Sequence, residues 1–219
     1  MVLVERSFPA PESLAIEAQK KDGSYNKPDV VERLRRDFHD KCYICELKGL
    51  QDPEVEHLVS HENGRNRARM FDWNNLFWSC GHCNRVKDRA IYSRGILDCC
   101  RRDPELVIRF ATEGSGIMVT AFDPDDSEAV MSARLVTDAF MQRNTGIRTV
   151  ASEQRMKGLW LQMRVLYDAL RKYRNNPTRL HRRVIGALLR RESAFAAFKR
   201  CYVREHLADY PDLEEFVAS

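Results

Sequence analysis

The sequence Lys41-Cys42-Tyr43-Ile44-Cys45-Glu46 is followed further along the chain by Ser79-Cys80-Gly81-His82-Cys83-Asn84. Each stretch contains one Cys-x-x-Cys pair, and 34 residues separate the two pairs. Four thiolates at this spacing can surround one tetrahedral Zn²⁺ ion. The two stretches therefore predict a structural zinc site with the ligands Cys42, Cys45, Cys80 and Cys83.

Residues suited to hydrolytic chemistry lie between and directly after the cysteine pairs. Glu56 and His57 are adjacent inside the loop, and Asn84 follows the last cysteine. Histidine is a suitable base for an attacking water because its ordinary pKa is close to neutrality. Carboxylate and amide oxygens are the ligands that Mg²⁺ or Mn²⁺ prefers. A Glu-His pair alone is more typical of a solvated surface, so the surrounding cysteine pairs are what favours a site.

The strand predicted around Glu56 and His57 raises a geometric question. Successive side chains of a flat strand point to opposite faces, so these two residues cannot both serve one site in regular β-structure. A twisted strand end next to a loop would bring them around one site. Both geometries agree with the sequence.

The order of these features resembles the HNH nuclease family, whose ββα-metal core often contains a four-cysteine zinc site. The similarity covers residues 41–89 and includes the step Asn75-Leu76. The resemblance implies that His57 is the general base and that Glu56 and Asn84 bind a catalytic Mg²⁺ or Mn²⁺. It also implies that Asn75 organises a loop and orients the base, and that Arg85 and Lys87 contact phosphate. Glu56 stands where many members have Asp, which keeps the charge and lengthens the reach by one methylene.

Over a wider range, residues 24–160, the sequence resembles the PtuB family, the HNH subunits of Septu and related retron-linked antiphage systems. It includes Asp72-Trp73-x-Asn75-Leu76, Ile96-Leu97-Asp98 and Asn144-Thr145-Gly146-x-Arg148. The resemblance implies three kinds of partner: nucleic acid, an ATPase subunit of PtuA type and, in retron systems, a reverse transcriptase. The chain has no Gly-x-x-x-x-Gly-Lys-Ser/Thr loop, so any ATP dependence would come from another chain.

The substrate implied by the resemblance is nucleic acid, and two classes remain open. DNA is favoured because hydrolysis of the phosphodiester does not require a 2′-hydroxyl group, but structured RNA such as tRNA stays an alternative. A different function is a zinc-stabilised nucleic-acid-binding subunit without catalysis. That alternative predicts loss of His57 or of the metal ligands, and all of them are present.

The composition is typical of a globular protein: 219 residues, 43% hydrophobic and 31% charged. No apolar run is long enough to span a membrane, and the first residues lack a signal-peptide pattern, so we expect a cytoplasmic protein without membrane contact. Cytoplasmic thiols are usually reduced, which favours metal ligation over disulfides for the paired cysteines. The other three cysteines, Cys99, Cys100 and Cys201, are expected to be free thiols.

The net charge of +4 is unevenly distributed. Residues 141–204 contain 16 Lys and Arg against 3 Asp and Glu, whereas residues 205–219 contain only acidic charges. A basic block of this kind is suited to phosphate contacts, because each neutralised phosphate releases counterions. The alternative is a solvated helical face.

The hydrophobic periodicity predicts an α+β fold that is mainly helical. We expect a ββα-metal HNH core with a Cys₄ zinc site, a small β-hairpin around residues 106–122 and a helical C-terminal region. Three segments follow: a loosely packed N-terminal arm (1–26), the HNH nuclease domain with its hairpin and helix (27–142), and a basic helical C-terminal region (143–219).

Two features of the C-terminal region are candidate docking surfaces for a partner. Asp125-Asp126-Ser127 predicts the cap of a helix that continues to about Gln142, and Asn144-Thr145-Gly146 predicts its stop. Ser152 predicts a cap for the next helix. That helix carries an apolar stripe up to Tyr173, which is the first candidate surface. The second is the acidic segment 209–216.

Overall fold

The computed structural model describes residues 1–142 and 146–218, except for the side chains of residues 94, 147 and 148. Within these residues the chain is an α+β protein that is mainly helical, as predicted, with two small antiparallel hairpins. The elements in order are α1 (Glu12–Ala18), α2 (Pro28–Asp37), β1 (Pro53–His57), α3 (Arg67–Met70), β2 (Leu76–Cys80), α4 (Gly81–Lys87), β3 (Ile108–Glu113), β4 (Gly116–Ala121), α5 (Ser127–Met141), α6 (Gly146–Asn175), α7 (Arg179–Leu189) and α8 (Ala196–Glu205).

The first hairpin lies between the two cysteine pairs. β1 and β2 are antiparallel, with Pro53 opposite Cys80 and His57 opposite Leu76. Every residue of β2 is buried, which explains its apolar sequence. α4 begins directly after β2 and packs against both strands. The chain thus has the strand, strand, helix order expected from the sequence.

Helix α2 leads into the first cysteine pair. Pro28 occupies its first turn, where a missing N–H costs nothing, and Val30 and Leu34 on one face are fully buried. His39 and Asp40, directly after the helix, both have positive φ and donate their backbone N–H groups to carbonyls of its last turn. Non-glycine residues adopt this conformation at a cost of about 1 kcal/mol or more, so the surrounding packing must hold the turn.

The second hairpin and α5 follow the predicted pattern. β3 pairs with β4, and Gly114 takes the positive φ that their connecting turn requires. The Asp126 side chain accepts a hydrogen bond from the backbone N–H of Ala129 and caps α5. Both predictions are confirmed because they depend on local patterns.

Two predictions for α6 are wrong. The helix begins at Gly146, so Ser152 is an interior residue, and its buried hydroxyl donates to the Ala139 carbonyl at 3.1 Å. The predicted helix stop at Asn144 and Thr145, like the side chain of Arg148, lies outside the described residues. Leu159, Met163 and Leu170 of the apolar stripe are buried in the core and do not form an exposed docking surface.

The acidic C-terminal segment is also held by the protein itself. Asp212 accepts a hydrogen bond from the Tyr173 hydroxyl, and Glu215 pairs with Arg182 at 2.9 Å. The segment therefore packs along α6 and α7. Asp209, Asp212 and Glu215 have partners within the chain, which weakens the case for a docking role.

The N-terminal arm is not loosely packed. Met1, Val2 and Val4 are buried, and the N–H of Val4 donates to the Cys99 carbonyl at 2.9 Å. The guanidinium of Arg6 lies over the rings of three aromatic residues, which are Phe38, Trp73 and Phe77. The scattered polar residues of this segment predict a loosely packed arm, but its apolar side chains complete the core.

The C-terminal helices pack against the first cysteine pair. The ammonium group of Lys41 donates to the Ser193 carbonyl at 3.1 Å, and Glu46 accepts from the backbone N–H of Ala197 at 2.9 Å. Residues 146–218 are therefore in direct contact with the segment that carries Cys42 and Cys45. Among all residues that the structure describes, no helix is both long and apolar enough to cross a lipid bilayer.

Candidate functional site

The four paired cysteines form one buried cluster. Cys42 and Cys45 lie in the turn after α2, Cys80 ends β2, and Cys83 lies in the first turn of α4. Their sulfur atoms all lie within 4.8 Å of one another. A tetrahedral Zn²⁺ with bonds of about 2.3 Å places its sulfur ligands about 3.8 Å apart. The donor set and its spacing therefore fit a metal such as zinc.

Arg155 of α6 is part of this cluster, and the sequence analysis did not identify it. Its guanidinium donates to the Cys80 sulfur at 2.8 Å and to the Ala151 carbonyl at 2.6 Å, and the residue is only 5% exposed. Four thiolates around Zn²⁺ carry a net charge of about −2, which a buried cation offsets. The sequence signal that could have identified Arg155 is a charged residue at helical spacing from the apolar residues of α6.

The imidazole of His82, inside the second cysteine pair, joins two helices. It is buried, and its Nε2 contacts the Ala139 carbonyl at 2.9 Å. Burial lowers its pKa, so the ring is neutral near pH 7 and donates one hydrogen bond from α4 to α5. This contact is structural and leaves the metal cluster with four sulfur donors.

His57 lies at the end of β1 among other rings. The ring of Tyr25 meets it edge-on at a centroid distance of 4.5 Å, and the His61 ring lies at 4.3 Å. Its Nε2 lies 3.0 Å from the Met70 carbonyl, which can only accept, so Nε2 carries the proton and Nδ1 has the free lone pair. Burial lowers the pKa of His57 to about 4. At neutral pH the imidazole is an uncharged proton acceptor.

Asn75 connects the segment after β1 to the turn before β2. Its backbone carbonyl accepts from the N–H of Leu58, and its side chain both accepts from and donates to the backbone of Val59. The side chain also donates to the Arg69 carbonyl, next to the Met70 carbonyl that holds His57. These contacts hold the segment after β1 against the turn before β2.

Glu56 lies on the opposite face of β1 from His57. It is 3% exposed, and Lys87 and Tyr43 hold its carboxylate at 2.5 Å and 2.7 Å. Burial raises its pKa although both partners act in the opposite direction. The same Lys87 ammonium donates to the His57 carbonyl at 2.8 Å. Lys87 is therefore bound inside the protein, away from the exposed position expected of a phosphate contact.

Asn84 is paired with a residue that the sequence analysis did not select. Its amide donates to the carboxylate of Glu54 at 2.7 Å, and Arg85 lies 3.9 Å from the other oxygen of that carboxylate. Glu54 and Glu56 are two residues apart and share a strand face, which the two-residue period of a strand could have indicated. Asn84 thus contacts the carboxylate of Glu54 and not that of Glu56.

Comparisons with protein-family models, with curated proteins and with solved structures found no match. Function is therefore inferred from the residues of the chain itself.

An arginine-lined cleft lies on another part of the surface. Arg183, Gly186 and Ala187 of α7 line this cleft, together with Arg190 directly after the helix and Arg36 of α2. The cavity has a volume of about 790 Å³. Arg183 and Arg190 are exposed and have no ion-pair partner among the described residues. The cleft therefore presents an excess of positive charge, although Glu5, Asp37 and Glu192 also line it.

Proposed function

We propose that this protein is a metal-dependent HNH endonuclease that hydrolyses phosphodiester bonds of nucleic acid. In this proposal the HNH core comprises β1, β2 and α4, with the four-cysteine cluster as its zinc site. The observation that carries it is His57: a neutral imidazole whose Nε2 is fixed by a backbone carbonyl and whose Nδ1 is free to accept a proton. The resemblance of residues 41–89 to HNH nucleases supports the same assignment.

His57 acts as the general base of the proposed reaction. Its Nδ1 accepts a proton from the attacking water, and the Nε2 hydrogen bond to Met70 helps to stabilise the imidazolium that forms. Asn75 donates to the Arg69 carbonyl, next to Met70, and so limits movement of the backbone that binds the His57 ring. The low pKa of His57 keeps it in the unprotonated form required of a base at neutral pH.

A divalent cation such as Mg²⁺ or Mn²⁺ would stabilise charge on the phosphoryl group and on the departing oxygen. The oxygen of the Asn84 amide, together with a neighbouring carboxylate, has the hard-donor chemistry that these ions prefer. Glu56 and Asn84 are the ligands implied by the family resemblance.

Contacts to the nucleic-acid backbone are assigned to exposed arginines. Arg85 is well exposed at the site, and the arginine-lined cleft adds Arg183 and Arg190. Each contact of this kind neutralises a phosphate without reading sequence. DNA is favoured over RNA because the proposed reaction does not involve a 2′-hydroxyl.

The biological role proposed is that of the nuclease effector in a bacterial antiphage defence complex. The support is the similarity over residues 24–160 to PtuB subunits. The same similarity implies an ATPase partner of PtuA type and, in a retron system, a reverse transcriptase.

The test is cleavage of plasmid DNA and of tRNA, with Mg²⁺ or Mn²⁺, by the wild-type protein and His57→Ala. The protein is purified together with whatever partner co-elutes. Cleavage by the wild type that is lost in the variant supports the proposal, and the substrate that is cut decides between DNA and RNA. Equal cleavage by both proteins rejects His57 as the base. Binding of nucleic acid without cleavage, with a partner present, supports a non-catalytic subunit.

A further inference from the structure

We propose that His61 binds a phosphate oxygen of the nucleic acid through its Nε2–H group, beside the general base His57. This inference deepens the proposed function and rests on it. His61 is not among the residues that the HNH resemblance implies. Its role is to supply a hydrogen-bond donor next to the proton acceptor of the proposed reaction.

One contact determines where the His61 ring carries its proton. The ring nitrogen Nδ1 accepts a hydrogen bond from the backbone N–H of Gly64 at 2.8 Å. A nitrogen that accepts has no proton, so the proton of the neutral imidazole is on Nε2. This Nε2 has no other hydrogen-bond partner among the residues that the structure describes. Because Nε2 has no lone pair to offer, His61 is suited to an anionic oxygen and not to a metal ion.

His57 and His61 present opposite hydrogen-bonding groups side by side. Nε2 of His57 donates to the Met70 carbonyl and leaves Nδ1 as the acceptor, whereas His61 has its donor free. The two ring centroids are 4.3 Å apart. In a reactive arrangement the water oxygen and the phosphorus are about 3 to 3.5 Å apart. Two rings this close can therefore accept from the water and donate to an oxygen of the same phosphate.

The loop that contains His61 fixes the orientation of its ring. Glu62, Asn63 and Gly64 have successive positive φ angles of 56°, 55° and 83°, which bring the Gly64 N–H back to the ring. Left-handed backbone is unfavourable for residues with a side chain, so two such residues in a row persist only where other contacts hold them. The backbone N–H of Asn66 closes the loop by donating to the His61 carbonyl at 3.1 Å. A donor held in advance in this way stabilises charge efficiently, because it does not reorganise during the reaction.

Tyr25 packs against both imidazoles from another part of the chain. Its ring meets His57 edge-on at a centroid distance of 4.5 Å and lies 5.9 Å from the His61 ring. His57 is almost fully buried, whereas His61 is partly exposed. A substrate that approaches from solvent therefore meets His61 before it meets the base.

The residues after His61 add positive charge at this edge of the protein. Arg65 is exposed and has no ion-pair partner among the described residues. The guanidinium of Arg69 is 46% exposed and lies 3.4 Å from Glu62, the acidic residue of the same loop. Exposed arginines attract the phosphate backbone without reading sequence. The charge around His61 therefore suits a polyanion.

The test uses two substitutions that separate the two nitrogens of His61. His61→Asn keeps an acceptor near Nδ1 for the Gly64 N–H and removes the donor at Nε2. His61→Gln places an amide donor near the position of Nε2. The control is His206→Gln, because His206 is also partly exposed and its ring stacks on Tyr202 of α8.

Cleavage of plasmid DNA and of tRNA is measured with Mn²⁺ for each protein, with any co-eluting partner. We expect kcat/KM to fall by roughly 100-fold in His61→Asn, by about tenfold in His61→Gln and by less than about twofold in the control. A purely structural role of the ring predicts the reverse order, because Asn keeps the loop contact and Gln does not. Cleavage by His61→Asn at the wild-type rate overturns the proposal. Unfolding of His61→Asn, checked by circular dichroism, overturns it as well, because the ring would then be structural.

A second measurement does not need cleavage. A short DNA duplex and tRNA are titrated separately onto proteins that carry His57→Ala. Adding His61→Asn should weaken the Kd by about fivefold or more, and adding His206→Gln should change it by less than about twofold. No binding of either nucleic acid by the parent protein overturns the proposed contact.

Failure of this inference can be distinguished from failure of the nuclease proposal. Cleavage by wild type with unchanged cleavage and binding in His61→Asn rejects the phosphate contact and keeps the nuclease. Weaker binding in His61→Asn, without cleavage of any nucleic acid by wild type, keeps the phosphate contact and rejects the nuclease.

Discussion

The guanidinium of Arg155 lies 2.8 Å from the sulfur of Cys80, although the two residues are 75 positions apart in the chain. Hydrogen bonds from the other three cysteines, together with the positive charge of Arg155, lower the pKa of the Cys80 thiol. The pair joins the long helix α6 to the four-cysteine cluster. The metal site and the C-terminal helices are therefore expected to gain or lose stability together.

Replacing Arg155 with Met should weaken the metal site, because it removes the cation that offsets the charge of the thiolates. We expect a loss of about 3 kcal/mol in the free energy of unfolding, with faster zinc release to a chelator. Arg155→Lys keeps the charge and should retain part of the stability and part of the resistance to zinc release. Arg164→Met, an exposed arginine of the same helix, is the control. Equal zinc release from all four proteins would show that Arg155 only fills space.

Loss of a cysteine ligand should unfold the protein. Cys42→Ser or Cys80→Ser removes one thiolate ligand, and a structural zinc ion bound by four cysteines contributes on the order of 10 kcal/mol to folding. Cys201→Ala changes a free cysteine outside the cluster and should cost no more than about 2 kcal/mol. Thermal unfolding and bound zinc are measured for each variant. A Cys42→Ser protein as stable as Cys201→Ala would argue against a structural metal.

The low pKa of His57 predicts a pH dependence of stability with a defined sign. The pKa of His57 is about 4 in the folded protein and about 6.5 in an unfolded chain, so the unfolded chain binds more protons between these limits. Stability is therefore lost as pH falls from 6.5 to 4, by up to about 3 kcal/mol. His57→Asn should reduce this loss. Urea unfolding of both proteins at pH 7 and pH 4.5 gives the difference directly.

The same group sets the acid limb of the proposed reaction. Because the base stays unprotonated down to about pH 4, the cleavage rate should change little between pH 7 and pH 5.5. An acid limb near pH 6.5 in a protein that remains folded would contradict the buried environment of His57.

The arginine-lined cleft should contribute to nucleic-acid binding without sequence preference. Changing both Arg183 and Arg190 to Ala removes two phosphate contacts and should lower the slope of log K against log salt by roughly 2. The control is Arg164→Ala with Arg171→Ala, which removes the same charge from the exposed face of α6. Binding is measured in the His57→Ala protein at several salt concentrations. Identical slopes for the two double variants would exclude the cleft as the binding surface.

Local patterns in the sequence predicted a substantial part of this fold. The two cysteine pairs indicated one metal site, alternation indicated the hairpin of β3 and β4, and Asp126 marked the start of α5. These features depend on spacing, side-chain period and capping, which are properties of neighbouring residues. The prediction of His57 as a proton acceptor also came from residue type and remains a proposal.

Tertiary structure decided the contacts between distant segments. The buried N-terminal residues, the insertion of Arg155 beside Cys80, and the buried stripe of α6 all depend on partners far away in the sequence. The pairing of Asn84 with Glu54 instead of Glu56 depends on where α4 crosses β1. Residue types and periods determined which groups were available, but only packing in three dimensions determined which buried charges neutralise each other, because that depends on distances the sequence does not contain.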